Sequence, residues 1–113
     1  MIDWGQVKEL ENEIGAEDFA EIVDVFIVEV DEAIDALRGS ELAGEELSSA
    51  MHFLKGSAAN LGFSDLAAYC SEGEKKAQNG SSTEVDLTHV ISLYENSKAN
   101  FIENAPSHLS YNP

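Results

Sequence analysis

The chain has 113 residues, about one domain on the usual scale of ~100–200 residues. Its 43% hydrophobic residues suffice for one core, and 2 Pro and 8 Gly are too few to suggest disorder. With 22 acidic against 6 basic residues, a net charge of −16, it has no Lys/Arg cluster to neutralise phosphates, so neither nucleic acid nor an anionic membrane is an expected partner.

No apolar run approaches the ~20 residues of a membrane span. No basic residue precedes Lys8 and no secretory h-region follows, and the single cysteine, Cys70, cannot form an intramolecular disulfide. A cytoplasmic location is therefore expected. The acid excess is lopsided, with net −13 in residues 1–46 and −3 in residues 47–113. It reads as a solvated helix surface or, the rarer case, as a field that steers basic partners.

Taken in order, the chain carries one short and four long amphipathic segments with no strand pattern and no internal repeat. Asp3 is placed to cap a first helix over 3–14 that Gly15 ends. Residues 17–38 set Phe19, Ile22, Val23, Phe26, Ile27, Val30, Ile34 and Leu37 at steps of three and four, one buried helix face. Val25 and Val28 fall off that face, either covered by the first helix, exposed singly or bound to a partner.

After a turn at Gly39, Ser40 and Gly44, a third helix over 45–62 repeats the pattern with Leu47, Ala50, Met51, Leu54, Ala58 and Leu61. Ser64 is placed to cap a fourth over 65–78, whose inward positions are Leu66, Tyr69, Cys70, Gly73 and Ala77. A fifth over 85–104 carries Leu87, Val90, Ile91, Tyr94, Phe101 and Ile102, with Lys98 snorkelling outward, and Pro106 closes it before a tail over 105–113. The expected fold is all-α: an antiparallel up-down-up-down four-helix bundle, with the short first helix covering one end. No helix has a second apolar stripe, so a monomer is expected.

On a helical wheel with Leu47 at zero, His52 lies at about 140°, away from the core, with Lys55 at about 80°, Ala59 at about 120° and Gly56 at about 180°. Ser48 and Ser49 stand one turn before it on the outer face. The imidazole thus sits on an uncluttered surface that another protein can approach, and Gly56, which costs roughly 1 kcal/mol relative to alanine, leaves clearance there. Lys55 can reach oxygens of a phosphoryl group on the ring. From spacing alone an ordinary surface His–Lys pair is the commoner case. Phe53, at about 240° on the wheel, either packs on a neighbouring helix or belongs to a docking patch.

Residues 52–62 read HFLKGSAANLG, which resembles the H-x-L-K-G-S-x-x-x-L-G signature of histidine-containing phosphotransfer (HPt) domains. These are helical bundles of about this size with the motif in mid-helix, so the resemblance extends over the whole chain as a single domain, 1–113. It implies that His52 is the phosphorylated nucleophile, that Lys55 holds the phosphoryl oxygens, that Gly56 leaves room for the partner, and that Ser57 and Leu61 are structural. The implied partner is a response-regulator receiver domain, or a hybrid sensor kinase, with Mg²⁺ in the receiver and no cofactor in this chain.

A neutral imidazole can attack an aspartyl phosphate near neutral pH. The chain has neither a Gly-rich nucleotide loop nor a carboxylate–Mg²⁺ motif, so it is expected to be a carrier without kinase activity of its own. Ser48, Ser49, Phe53 and Ala59 are the candidate partner-binding residues. His89, on the fifth helix, and His108, in a tail expected to be mobile, lack comparable surroundings, and no zinc-ligand spacing occurs. Two other classes stay open: an acidic helical adaptor or degenerate relay domain that binds without phosphorylation, and an acidic decoy for a basic protein, whose binding would fall steeply with salt.

Overall fold

A computed structural model describes residues 2–110, and among these the regular structure is helical: α1 (Trp4–Ile14), α2 (Ala16–Leu37), α3 (Gly44–Asn60), α4 (Ser64–Gln78) and α5 (Leu87–His108). Residues 111–113 of the expected tail lie outside the described residues. The four long helices neighbour one another in the order α2, α3, α4, α5 and back to α2, giving a rod of 42 × 22 × 20 Å. Its length is that of a helix of ~22 residues plus its caps.

The apolar stripes meet in one core. Phe19, Val23, Val30, Ile34 and Leu37 of α2 face Leu47, Met51, Leu54 and Ala58 of α3, Leu66, Cys70 and Ala77 of α4, and Val90, Tyr94, Phe101 and Ala105 of α5, all buried. Burial pushes the Cys70 thiol up to about 12, so this cysteine is an inert packing residue. The α3–α4 pair is the closest in the bundle. Gly73 permits this approach, because a Cβ there would stand 3.1 Å from Met51 Sδ.

Several details depart from the sequence-based expectations. Ser64 does not cap α4; it is the first helical residue, and the cap position falls on Phe63. Phe63 itself is fully buried, 5.8 Å edge-on from Phe101 and 6.3 Å from Tyr94. Val85 lies outside α5, after a 3-10 turn over Ser82–Glu84, because Asp86 caps the helix by accepting from the His89 N–H. Ile22 and Ile102 are at the edges of their stripes and are exposed, as are Val25 (54%) and Val28 (57%), so α1 does not cover them.

The largest departure is at the end of α5, which continues through Pro106 to His108 rather than stopping at Asn104. Proline removes one helical hydrogen bond, and tertiary contacts beyond it offset the loss. Trp4 of α1 is stacked between Phe101 (5.5 Å) and His108 (4.3 Å, planes 4° apart), Leu109 is buried, and the Ser110 N–H donates to the buried Glu11 carboxylate at 3.0 Å. His108 is thus packed against Trp4, correcting the expectation of a mobile tail from residue 105.

The same helix α1 is tied to the α3–α4 junction. Asp3 caps it by accepting from the Gln6 N–H, and the Asp3 N–H donates to the Gly62 carbonyl at 2.7 Å. Ile2 forms an isolated bridge with Phe63. Gly62 has φ +72°, and a Cβ there would lie 2.4 Å from Val7 Cγ2, so both its backbone and its neighbours require glycine. The α2–α5 seam holds a polar cluster in which Tyr94 Oη donates to Asp31 at 2.5 Å and Lys98 Nζ to the same carboxylate at 2.9 Å. Burial would raise the Asp31 carboxyl, but the Tyr94 and Lys98 hydrogen bonds outweigh it and hold it below its ordinary value.

Candidate functional site

His52 points outward from mid-α3 because the periodicity that buries Met51 and Leu54 turns the two residues between them, His52 and Phe53, towards the surface. Its side chain is 69% exposed. Gly56, one turn later, is exposed and helical, and among the described residues nothing lies within 4 Å of where its Cβ would be. Neither backbone conformation nor internal packing therefore requires glycine at 56, in contrast to 62 and 73. What its absent side chain provides is open surface beside the imidazole.

The ring is not free of partners. His52 Nδ1 lies 2.9 Å from Glu74 Oε2, and Lys55 Nζ donates to Glu74 Oε1 at 2.5 Å, so one carboxylate of α4 bridges the histidine and the lysine of α3. Glu74 is largely covered, 14% exposed, and Lys55 is 35% exposed. The Lys55 hydrogen bond, opposed by partial burial and aided by the His52 hydrogen bond, holds the Glu74 carboxyl below its ordinary value. The group is a carboxylate at neutral pH.

Sequence reasoning missed Glu74. It lies 22 residues from His52 and is one of 22 acids, so no local spacing connects the two. The usable signal was its neighbour: Gly73 marks where α4 closes on α3, and the next residue on the wheel stands at the rim of that contact.

The other candidate residues divide. Ser49 and Ala59 are exposed on α3, while Ser48 is half-buried. The Ala59 carbonyl accepts from Gln6 Nε2 at 3.0 Å, so α1 flanks that end of the surface. Phe53 is 40% exposed, a ring partly packed and partly open to a partner. On α2, Ile22, Val25 and Phe26 line a shallow apolar depression with Glu21. Ser57 is buried and its carbonyl accepts from the Leu61 N–H, closing α3. His89 packs edge-on against Tyr69 at 4.7 Å.

Chemically the arrangement offers an exposed imidazole, a neighbouring ammonium and an unobstructed approach. No grouping of His, Cys, Asp and Glu among the described residues could hold a metal ion, and no described helix is long and apolar enough to cross a membrane. A family model described as the Hpt domain matches residues 21–100. That span runs from the first turns of α2 into α5 and includes His52, Lys55, Gly56 and Glu74, whereas α1 and the end of α5 lie outside it. No curated protein and no solved structure matches the chain.

Proposed function

Because the chain belongs to the Hpt domain family, whose members carry phosphoryl groups on histidine in phosphorelays, we propose that His52 exchanges a phosphoryl group with the aspartate of a response-regulator receiver domain. The observation that carries this reading is the exposed His52 ring beside Gly56, a helical glycine that the chain's own packing does not require. An imidazole that attacks a phosphorus bound to another protein needs that protein's backbone close to it, and a side chain at 56 would stand in the way.

Lys55 offsets charge on the transferring group once it turns from Glu74 towards the phosphoryl oxygens. Mg²⁺ belongs to the receiver, which supplies the acyl phosphate, so this chain acts as a carrier without kinase activity. Ser49, Phe53 and Ala59 form the surface the receiver meets, with Ser48 contributing at its half-buried edge. The domain extends over the whole chain. The packing of α1 against the α3–α4 junction and the end of α5 supports an antiparallel, up-down-up-down order for the four long helices.

The experiment is to incubate the purified protein and its His52→Gln variant with several phosphorylated receiver domains and to follow acid-labile, base-stable phosphate. The wild type should be labelled and the variant unlabelled, with the helical circular dichroism of both unchanged. Equal labelling of the two proteins would move the site off His52 and remove the mechanism.

A further inference from the structure

We propose that Ser49 is a phosphoryl-binding residue, its hydroxyl donating a hydrogen bond to an oxygen of the phosphoryl group carried on His52. This rests on the carrier reading above and deepens it, making Ser49 a ligand of the transferred group as well as part of the surface the receiver meets.

Four residues stand one helical turn from His52: Ser48 and Ser49 before it, Lys55 and Gly56 after it. Gly56 has no side chain, Ser48 is half-buried, and Lys55 is engaged by Glu74. Ser49 alone of the four is exposed and carries a donor. Among the described residues its hydroxyl has no hydrogen-bond partner, whereas the hydroxyls of Ser40 and Ser82 each have one.

Direction along and around α3 favours the same residue. Helical side chains lean towards the N-terminus, over the turn that precedes them, so the His52 ring leans over the turn that holds Ser49. Around the helix, Ser49 stands about 60° to one side of His52 and Lys55 about 60° to the other. The Lys55 side is that of α4, where Nδ1 lies 2.9 Å from Glu74. In a five-membered ring the outward direction of Nε2 is nearly opposite that of Nδ1. A phosphoryl group on Nε2 therefore turns away from α4, to the side on which Ser49 stands.

Charge gives the hydroxyl its use. A phosphoryl group brings negative charge and strong acceptor oxygens into a chain of net charge −16 with a carboxylate beside the ring. Lys55 reaches it only by leaving Glu74. Ser49 has no such tie, and its O–H rotates freely towards an acceptor. In the reaction the Nε2 lone pair forms the N–P bond, and the bond from phosphorus to the aspartyl oxygen breaks with its electron pair leaving on the receiver's carboxylate. The Ser49 proton stays on Oγ throughout, so the hydroxyl stabilises the transferring and transferred group without entering the bond exchange.

The test labels full-length wild type, Ser49→Ala, Ser49→Thr and His52→Gln with phosphoramidate, a small donor whose phosphoryl group passes to the ring as ammonia leaves. No receiver is present, so docking does not enter. Ser49→Ala should be labelled about tenfold more slowly, the lower end of the scale for a hydrogen bond to a charged group, and its phosphohistidine ³¹P resonance should move. Ser49→Thr, which keeps the hydroxyl, should restore both, and His52→Gln should stay unlabelled. Alanine is a better helix former than serine, so Ser49→Ala should keep its helical circular dichroism.

A change in only one of the two readouts, or in neither, overturns the proposal, as does a Ser49→Thr variant no better than Ser49→Ala. Slower transfer from phosphorylated receivers with unchanged phosphoramidate labelling would make Ser49 a docking contact only and overturn it too. Failure of the carrier reading is separate: phosphorylated receivers would then leave wild type unlabelled, while the phosphoramidate comparison still reports on Ser49.

Discussion

At the level of single residues, three glycines in helices or at their ends do three different things. Gly73 lets α4 approach Met51, Gly62 adopts a left-handed turn against α1, and at Gly56 an added Cβ would meet no described atom within 4 Å beyond its own helix backbone. Only for Gly56 does the chain's own packing supply no reason for glycine. Gly56→Ala should therefore raise stability by ~0.5–1 kcal/mol, the helix-propensity difference, as measured by urea unfolding. The same variant should slow transfer from a phosphorylated receiver by roughly tenfold to a hundredfold, the scale expected of a small misplacement of reacting groups. A variant both more stable and equally fast would mean the clearance has no role. His52, Lys55 and Gly56 were legible in the sequence because they sit within one helical turn of each other, where 100° per residue fixes relative direction. Glu74 was not, since its contact depends on how two helices are set side by side.

Among the helices, α1 is more than a cover. It is joined to the α3–α4 turn through Asp3, Ile2 and Val7, and to the end of α5 through Trp4 and Glu11. Gly62 is the point where the Asp3 and Val7 ties to the α3–α4 turn converge. Gly62→Ala would place a methyl 2.4 Å from Val7 Cγ2 and 3.0 Å from the Asp3 carbonyl oxygen, on a backbone with φ +72°. Left-handed strain costs about 1–2 kcal/mol and overpacking about 1–3 kcal/mol, so the urea midpoint should fall by the equivalent of ~2–5 kcal/mol; an unchanged midpoint would show that α1 is not held there. The end of α5 is not legible in the sequence, where Pro106 reads as a stop although the helix runs on to His108. A proline weighs against a helix by the bond it lacks and by the clash of its ring with the carbonyl four residues before it, and here the contacts beyond it oppose that cost: Trp4 stacked on His108, the buried Leu109 and the Ser110 N–H on Glu11.

For the molecule as a whole the dominant feature is charge. Acids outnumber bases 22 to 6, and of the bases Lys8, Arg38, Lys55, Lys75 and Lys98 are already paired with carboxylates. The remaining acids repel one another in the compact state more than in the unfolded chain. Raising the ionic strength from about 0.01 M to about 1 M shortens the screening length from about 30 Å to about 3 Å. The thermal midpoint should rise by several degrees over that range, by calorimetry at constant pH. A midpoint that falls with salt would mean that the ion pairs outweigh the repulsion.

Periodicity in the sequence is enough to show that the chain is helical, to find most of the residues that face inward on each helix, and to identify which histidine stands outward with a lysine beside it. All of these depend on periodicities that act within a turn or two of one helix. The tertiary structure alone decided that α5 continues past Pro106, that Phe63 belongs to the core, that Ile22 and Ile102 remain exposed at the stripe edges, and that Glu74 reaches both His52 and Lys55. Each of these depends on the distance and rotation between helices far apart in the chain, which no local repeat encodes.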